Sequence, residues 1–283
     1  MAAVALLALG LSGCREGVLD PAGPIGRSER TILLDTLTIM LAIVVPVIFA
    51  AIAVAWWFRG SNKRARYRPD WSYSGMLELI VWSIPLMVVL FLGGIGWVSS
   101  HDLDPYKPIS SPAKPLEVEV VSLDWKWLFI YPDQGIASVN RLVIPAGVPV
   151  HFRLTSATVM NSFFVPRLGS QIYTMAGMTT QLSLEADEPG TYPGLSAQFS
   201  GAGFSSMTFA VVAVSLSQFA DWTAATDSSG PALDAGVYAK LAKPSRDNPT
   251  ATYRQASPHL FEDIVSQSAP GSGRAAQPSQ RGN

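Results

Sequence analysis

Charged residues, histidines and cysteines are scarce in this sequence. Only 14% of its 283 residues are Lys, Arg, Asp or Glu, the formal net charge is −1, and there is one cysteine. A near-neutral chain is not typical of nucleic-acid-binding proteins, and no nucleic-acid partner is expected. One cysteine excludes an internal disulfide and a cysteine-rich zinc site. The three histidines, His101, His151 and His259, are too scattered to indicate a metal site.

Common catalytic motifs are missing as well. The sequence has no G-x-G-x-x-G after a strand, no Walker loop, no H-E-x-x-H and no G-x-S-x-G. These motifs carry nucleotide binding, metal-assisted hydrolysis and nucleophilic catalysis. The chain therefore offers no obvious nucleophile and base pair of its own.

Two long apolar runs are present instead, and the mean hydropathy is +0.26. Residues 37–58 and 76–98 are each long enough to cross a hydrocarbon core about 30 Å thick. Between them, residues 59–75 carry five basic side chains and one acidic side chain, Asp70. The positive-inside rule places such a loop in the cytoplasm. We therefore expect a bacterial inner-membrane protein with two spans and both termini in the periplasm.

The N-terminus has the pattern of a secretory signal. An apolar run over residues 2–9 is followed by Leu-Ser-Gly-Cys, ending at Cys14, which resembles a bacterial lipobox. Residues 1–13 are therefore predicted to be a lipoprotein signal peptide, with Cys14 as the acylated first residue of a periplasmic segment over 14–36. The alternative is an ordinary free or buried cysteine.

The remaining chain changes from helical to strand-like and back. Residues 99–115 form a proline-rich linker, and residues 116–215 contain short alternating runs separated by turn signals, a pattern that predicts a Greek-key β-sandwich. Residues 216–265 are predicted to form a short helical extension. The Ser-, Gln-, Pro-, Gly- and Arg-rich residues 266–283 are predicted to be disordered.

Four aromatic residues alternate near the start of the predicted sandwich: Trp125, Trp127, Phe129 and Tyr131. Alternate residues of a strand point to the same face of a sheet. We therefore expect the four rings to share one face and to serve as core and contact surface.

Residues 192–207 have the spacing of a dinuclear copper loop without its ligands. Such a loop supplies two thiolates four residues apart, an acidic residue between them, then an imidazole and a thioether, and a first imidazole comes from an earlier strand. The corresponding positions here are Asn161, Ser196, Gln198, Ser200, Phe204 and Met207. Serine is not ionised near neutral pH and phenylalanine has no lone pair to donate, so a lone thioether remains. The sequence predicts a folded loop that binds no metal.

These residues resemble subunit II of the haem-copper respiratory oxidases, in particular the bo-type ubiquinol oxidase branch, which lacks the dinuclear copper centre. The resemblance is strongest over residues 123–131, 159–178 and 188–207. It implies a membrane α+β fold: a two-helix transmembrane hairpin, a periplasmic cupredoxin-like Greek-key sandwich over 116–215, and the short helical extension.

The resemblance also implies a role in a complex that oxidises ubiquinol, reduces dioxygen to water and moves protons outward. Haems and a copper would lie in the partner, subunit I, and this chain would hold no cofactor or catalytic residue. Subunits III and IV and membrane lipid are the other expected partners. Few acidic residues lie on the predicted sandwich, so docking of cytochrome c is not expected.

Glu78 lies at the cytoplasmic start of the second apolar run. By the resemblance it would lie at the mouth of a proton channel that continues into subunit I. The alternative is a solvated carboxylate stabilised by the helix dipole. For the whole chain, the alternatives are a copper-bearing subunit II of cytochrome c oxidase and a free-standing membrane-anchored binding or assembly lipoprotein.

Overall fold

The computed structural model describes residues 17–66 and 68–269, which fall into two compact units. One unit is residues 30–104, and the other combines the chain up to Glu29 with the chain from Pro105 onward. The predicted signal peptide and Cys14 lie outside the described residues, as do residues 270–283 of the predicted tail.

Two apolar helices make up most of residues 30–104, and the first of them begins a few residues earlier. Helix α1 spans Pro24–Trp57 and helix α2 spans Gly75–Asp102, and no residue in the most apolar window of either helix is buried. Helices that are apolar on every side belong in lipid or against other apolar helices. Helix α1 contains Pro46 and helix α2 contains Pro85. Spanning helices tolerate an internal proline when neighbouring groups satisfy the backbone carbonyl that it leaves without a hydrogen bond.

Helix α1 begins well before the apolar run predicted at residues 37–58. Its first residue is a proline, whose fixed φ suits the first turn of a helix. The Gly26 amide donates to the Leu168 carbonyl at 3.1 Å, and Arg27 forms an ion pair with Asp187. The start of α1 thus packs on the globular unit, to which residues 17–29 belong.

The globular unit is a sandwich of two sheets. One has the strand order β11-β3-β2-β1-β5-β8 and the other the order β4-β10-β9-β6-β7. The β1–β5 and β4–β10 pairs are parallel, and the remaining pairs are antiparallel. The strands are β1 Leu116–Leu123, β2 Lys126–Tyr131, β3 Ile136–Val139, β4 Arg141–Pro145, β5 Val150–Ser156, β6 Asn161–Phe164, β7 Ile172–Thr174, β8 Thr180–Leu184, β9 Gly190–Ser196, β10 Thr208–Val214 and β11 Ala251–Tyr253.

Aromatic rings fill the space between the sheets. Phe163 and Phe209 stack with centroids 5.0 Å apart, and Trp127 meets both edge-on at 5.5 Å. The Tyr131 hydroxyl donates to the Val143 carbonyl at 3.0 Å and accepts from the Val143 amide at 2.8 Å. Burial raises the pKa of Tyr131, so this hydroxyl stays protonated and joins β2 to β4.

The prediction that four rings share a face was wrong for Trp125. Trp127, Phe129 and Tyr131 all lie on the inner face of β2, but Trp125 precedes that strand and has a φ of 64° in the turn between β1 and β2. Positive φ at this point lets a two-residue turn follow the twist of the two strands. Trp125 still packs against the edge of the core.

A second apolar cluster covers the outer face of the first sheet. Side chains of β1 and β2 that point away from the first core, including Val121 and Ile130, pack against Leu260, Phe261 and Ile264 of the C-terminal extension. Strand β1 is therefore buried on both faces, although its alternating sequence predicts one solvated face.

The predicted helical C-terminal extension is present, and it also contains one short strand that was not predicted. It contains helices α3 Leu216–Ser229, α4 Ala235–Leu241 and α5 Leu260–Ser268. Between α4 and α5, strand β11 pairs with β3 and adds a sixth strand to the first sheet. Helix α5 also continues into the first residues of the predicted disordered tail. Pairing with a distant strand edge is a non-local interaction that the local sequence does not encode.

Candidate functional site

Strand pairing brings the predicted loop positions together at one end of the sandwich. Asn161 begins β6 and Ser196 ends β9, and these two strands are antiparallel neighbours. Met207 directly precedes β10, and its carbonyl accepts a hydrogen bond from the Ser196 amide at 3.1 Å. Asn161, Ser196 and Met207 are all at most 3% exposed. These three of the six predicted ligand positions thus form part of a closed core.

A hydrogen-bonded polar cluster occupies this end of the core. The Ser196 hydroxyl lies 3.1 Å from Asn161 Oδ1 and 3.3 Å from the Gln198 carbonyl oxygen, and it can donate to either. The Asn161 amide nitrogen donates to the Val159 carbonyl at 3.2 Å. Buried polar groups that find partners in this way avoid the cost of desolvation. At Gln198 the backbone makes the contact, as the acidic residue of a copper loop would do.

Ser200 and Met207 form the second contact of the loop. The Ser200 hydroxyl lies 3.9 Å from Met207 Sδ, a weak hydrogen bond to a poor acceptor. Neutral hydroxyls, one amide and one thioether do not provide the soft anionic donors that copper requires. The residues at this site therefore do not fit a dinuclear copper centre. Among residues 17–66 and 68–269, no group of three or more His, Cys, Asp or Glu is placed to hold a metal ion.

Phe204 takes part in an apolar contact at the surface. It begins a 3₁₀ turn, Phe204–Ser206, and its half-buried ring meets Phe199 edge-on with centroids 5.7 Å apart. Phe199 itself is 71% exposed. The position of a copper-binding imidazole is thus filled by a packing residue.

Trp125 holds the loop from the opposite sheet. Its indole nitrogen donates to the Ser200 carbonyl at 3.1 Å, and its ring lies against Gly203 so closely that a β-carbon there would overlap it. The Arg246 guanidinium lies over the same ring, 5.4 Å from the centroid. Trp125 therefore connects the loop to the C-terminal extension. The prediction that its ring lies with those of β2 did not indicate this role.

Lys126 is a buried cation that the sequence reasoning did not single out. It is 1% exposed, and its ammonium group donates to the carbonyls of Leu241 and Lys243 at 2.9 and 2.8 Å and to the Ser245 hydroxyl at 2.5 Å. Burial lowers the pKa of Lys126, and nearby Asp124 opposes that shift. The three oxygens satisfy all three ammonium protons, so Lys126 holds the chain that follows α4.

A second charged cluster joins the sheet to α5. Arg153 Nη1 lies 2.7 Å from a carboxylate oxygen of Glu119 and 3.0 Å from one of Glu262, and its guanidinium lies over the Phe261 ring. Burial is the main cause that raises the pKa of Glu119 to about 7, and the Glu262 charge adds to it, while Arg153 acts in the opposite direction. Two carboxylates thus share one cation.

Glu78 lies in the membrane unit, in the first turn of α2. Its side chain is exposed, and its backbone amide donates to the Ser74 carbonyl at 3.0 Å. Within the described ranges, no side chain gives its carboxylate a hydrogen bond or an ion pair. Both the proton-uptake role and the dipole-stabilised carboxylate are compatible with this position.

Comparison with known families defines the class of protein. Residues 133–214 match the family described as cytochrome c oxidase subunit II, periplasmic domain, and residues 228–270 match the COX aromatic rich motif. The first match covers the sandwich from β3 onward and the second covers most of the extension, and they show the cupredoxin-like subunit II fold.

Curated relatives define the branch within that class. The chain is 51% identical to cytochrome bo(3) ubiquinol oxidase subunit 2 of Pseudomonas putida, over 90% of this chain and 81% of that protein. It is 50% identical to ubiquinol oxidase subunit 2 of Acetobacter aceti, over 91% and 84% respectively. The chain belongs to the ubiquinol oxidase subunit 2 family. It is a membrane-bound subunit of a quinol oxidase, and the subunit itself has two membrane spans. The alternative of a copper-bearing cytochrome c oxidase subunit is not favoured.

Proposed function

We propose that this chain is a non-catalytic subunit through which no electrons pass. The observation that carries the proposal is the buried cluster of Asn161, Ser196 and the Gln198 carbonyl, where hydrogen bonds replace metal ligands. The haems and the copper then lie in subunit I, which receives electrons from quinol directly.

The choice of electron donor tests this proposal. The purified complex should consume oxygen with ubiquinol and not with reduced cytochrome c. A Ser196→Ala variant should keep ubiquinol-dependent oxygen consumption within about twofold, because the hydroxyl makes hydrogen bonds only within this domain. Oxidation of cytochrome c that disappears in Ser196→Ala would overturn the proposal.

The two helices are proposed to hold subunit I in the membrane, with subunits III and IV as further partners. Both helices present apolar side chains on all sides, as expected for helices that pack against other helices or lipid. The basic loop between them supports a cytoplasmic location, and therefore periplasmic termini. Labelling of the variants Ser61→Cys and Ser205→Cys with a membrane-impermeant thiol reagent, from each side of the membrane, distinguishes the two orientations. A free-standing lipoprotein would purify alone and colourless.

Two further assignments belong to the same proposal. Acylation of Cys14 would anchor the N-terminus, and the intact mass of the purified chain tests it.

Glu78 is proposed to admit protons to subunit I from the cytoplasmic side. Its exposed position at the end of a spanning helix supports that role, since protons must enter from water.

A further inference from the structure

An open cavity of about 1100 Å³ lies between the end of α1 and the loop that leads to α2. One wall is the apolar end of α1 and the residue that follows it, with Val54, Trp57 and Phe58. The other wall is the basic loop, with Arg64, Arg66 and Arg68. An apolar wall and a cationic wall thus meet where a spanning helix ends.

The loop is held in this shape by capping of α1. Arg59 Nη1 donates to the Trp56 carbonyl at 2.8 Å, and the Asn62 side-chain nitrogen Nδ2 donates to the Trp57 carbonyl at 2.6 Å. Asn62 Oδ1 in turn accepts from the Arg64 amide at 3.1 Å. These contacts satisfy carbonyls at the helix C-terminus, where positive charge is favourable. They fix the backbone from the end of α1 to Arg64, the first of the three cavity arginines.

The three arginines have no acidic partner in the part of the chain that the structure describes. Arg64, Arg66 and Arg68 are exposed, and none forms an ion pair or donates a side-chain hydrogen bond to a residue within 17–66 or 68–269. Three guanidinium groups around one cavity repel each other unless an anion lies between them. Guanidinium is well suited to phosphate, which it can bind through two parallel hydrogen bonds.

We propose that this cavity binds an anionic phospholipid of the adjoining leaflet. Arg64, Arg66 and Arg68 bind its phosphate, and the end of α1 contacts the first part of its acyl chains. A free phosphate would use only the cationic wall, whereas a phospholipid uses both. Basic pockets beside spanning helices on the cytoplasmic side recognise anionic headgroups in this way.

Photocrosslinking in the assembled complex tests the proposal. The complex is placed in nanodiscs that contain either a photoactivatable phosphatidylglycerol or the matching phosphatidylcholine, and crosslinks are mapped to peptides of this chain. We expect labelling of residues 54–71 by phosphatidylglycerol to exceed that by phosphatidylcholine at least fivefold. Each basic residue near an anionic lipid contributes roughly fivefold in binding.

The chain provides a matched control. Lys63 lies in the same loop and carries the same charge, but it does not line the cavity. Arg66→Gln should lower labelling by phosphatidylglycerol roughly fivefold, and Lys63→Gln should lower it less than twofold. The triple variant Arg64→Gln, Arg66→Gln, Arg68→Gln should abolish the preference. Co-purification of each variant with the haem-containing subunit shows that it assembles, independently of the electron donor used.

Four results would overturn the proposal. Equal labelling by both lipids would mean that the cavity does not select a lipid of net negative charge. Equal losses in Lys63→Gln and Arg66→Gln would mean diffuse surface charge. Displacement of the label by millimolar inorganic phosphate would mean a site for the free ion. Absence of label from both lipids would mean that another subunit covers the cavity.

Discussion

Ser196 Oγ lies 3.1 Å from Asn161 Oδ1, in a contact that joins the last residue of β9 to the first residue of β6. Both side chains are almost fully buried. The pair occupies two positions that would both contact metal in a copper-bearing loop. A neutral hydrogen bond here joins the two strands where a copper-bearing loop would place bonds to the metal.

Asn161→Ala should destabilise the sandwich. It removes two hydrogen bonds of a buried side chain, one with Ser196 Oγ and one to the Val159 carbonyl. We expect the free energy of unfolding to fall by about 1–3 kcal/mol. Urea denaturation of the purified chain in mild detergent, followed by near-ultraviolet circular dichroism, measures it. Exposed Ser205→Ala, in the same loop, should change it by less than about 0.5 kcal/mol. Equal effects would mean that the cluster contributes nothing specific.

Lys126→Met should loosen the C-terminal extension. The substitution keeps most of the side-chain volume but leaves the Leu241 and Lys243 carbonyls without their donor. Hydrogen–deuterium exchange should therefore increase over residues 241–250, with a loss of about 1–3 kcal/mol in the free energy of local opening. Lys240→Met removes an exposed lysine of α4 and should leave exchange unchanged. Unchanged exchange in Lys126→Met would show that apolar packing alone holds the extension.

Stability should depend on pH through Glu119. Its pKa is raised from its ordinary 4.5 to about 7, so between these two values the folded chain keeps a proton that the unfolded chain has lost. The free energy of unfolding therefore falls as the pH rises from about 4.5 to 7, and this contribution stays lost at higher pH. Urea midpoints measured across this range should fall more steeply in wild type than in Glu119→Gln.

Glu262 supplies the control for that pH dependence. Its charge is the second cause of the raised pKa of Glu119, after burial. Glu262→Gln should therefore lower the pKa of Glu119 and narrow the pH range over which stability falls. A fall that is equally steep in Glu119→Gln would assign the pH dependence to another group.

Glu78→Gln should slow proton-coupled turnover if this carboxylate admits protons. A group at the water-exposed end of a pathway can be partly replaced by water, so we expect a loss of at most about tenfold in ubiquinol-dependent oxygen consumption. Proton uptake by complexes in vesicles should fall in parallel. Asp102→Asn, at the other end of α2, should leave both rates unchanged. Normal rates in Glu78→Gln would favour the dipole-stabilised carboxylate.

The features that could be predicted from sequence are those set by local pattern. The length of the apolar runs predicted the two helices, and the alternation of apolar and polar residues predicted the sandwich. The spacing of the copper-ligand positions predicted which residues lie close to Ser196. Contacts between distant segments could not be predicted. The alternating sequence of β1 favours one solvated face, yet the extension covers that face and buries Glu119. In the same way, Lys126 resembles a surface residue until the chain after α4 folds over it.

Trp125 shows a second limit. Alternation alone places its ring beside Trp127, but a two-residue turn intervenes and directs the indole to the Ser200 carbonyl. That turn is fixed by the pairing of Leu123 with Lys126, which requires the register of the whole hairpin.

Copper content is the most direct test of the account. Metal analysis and near-infrared spectra of the purified complex should give one copper per complex and no band from a dinuclear copper centre. Ser196→Ala and Met207→Leu should leave both unchanged, because neither residue is a ligand. Three coppers per complex, with two lost in either variant together with a near-infrared band, would contradict the account and restore an electron-carrying role to this loop.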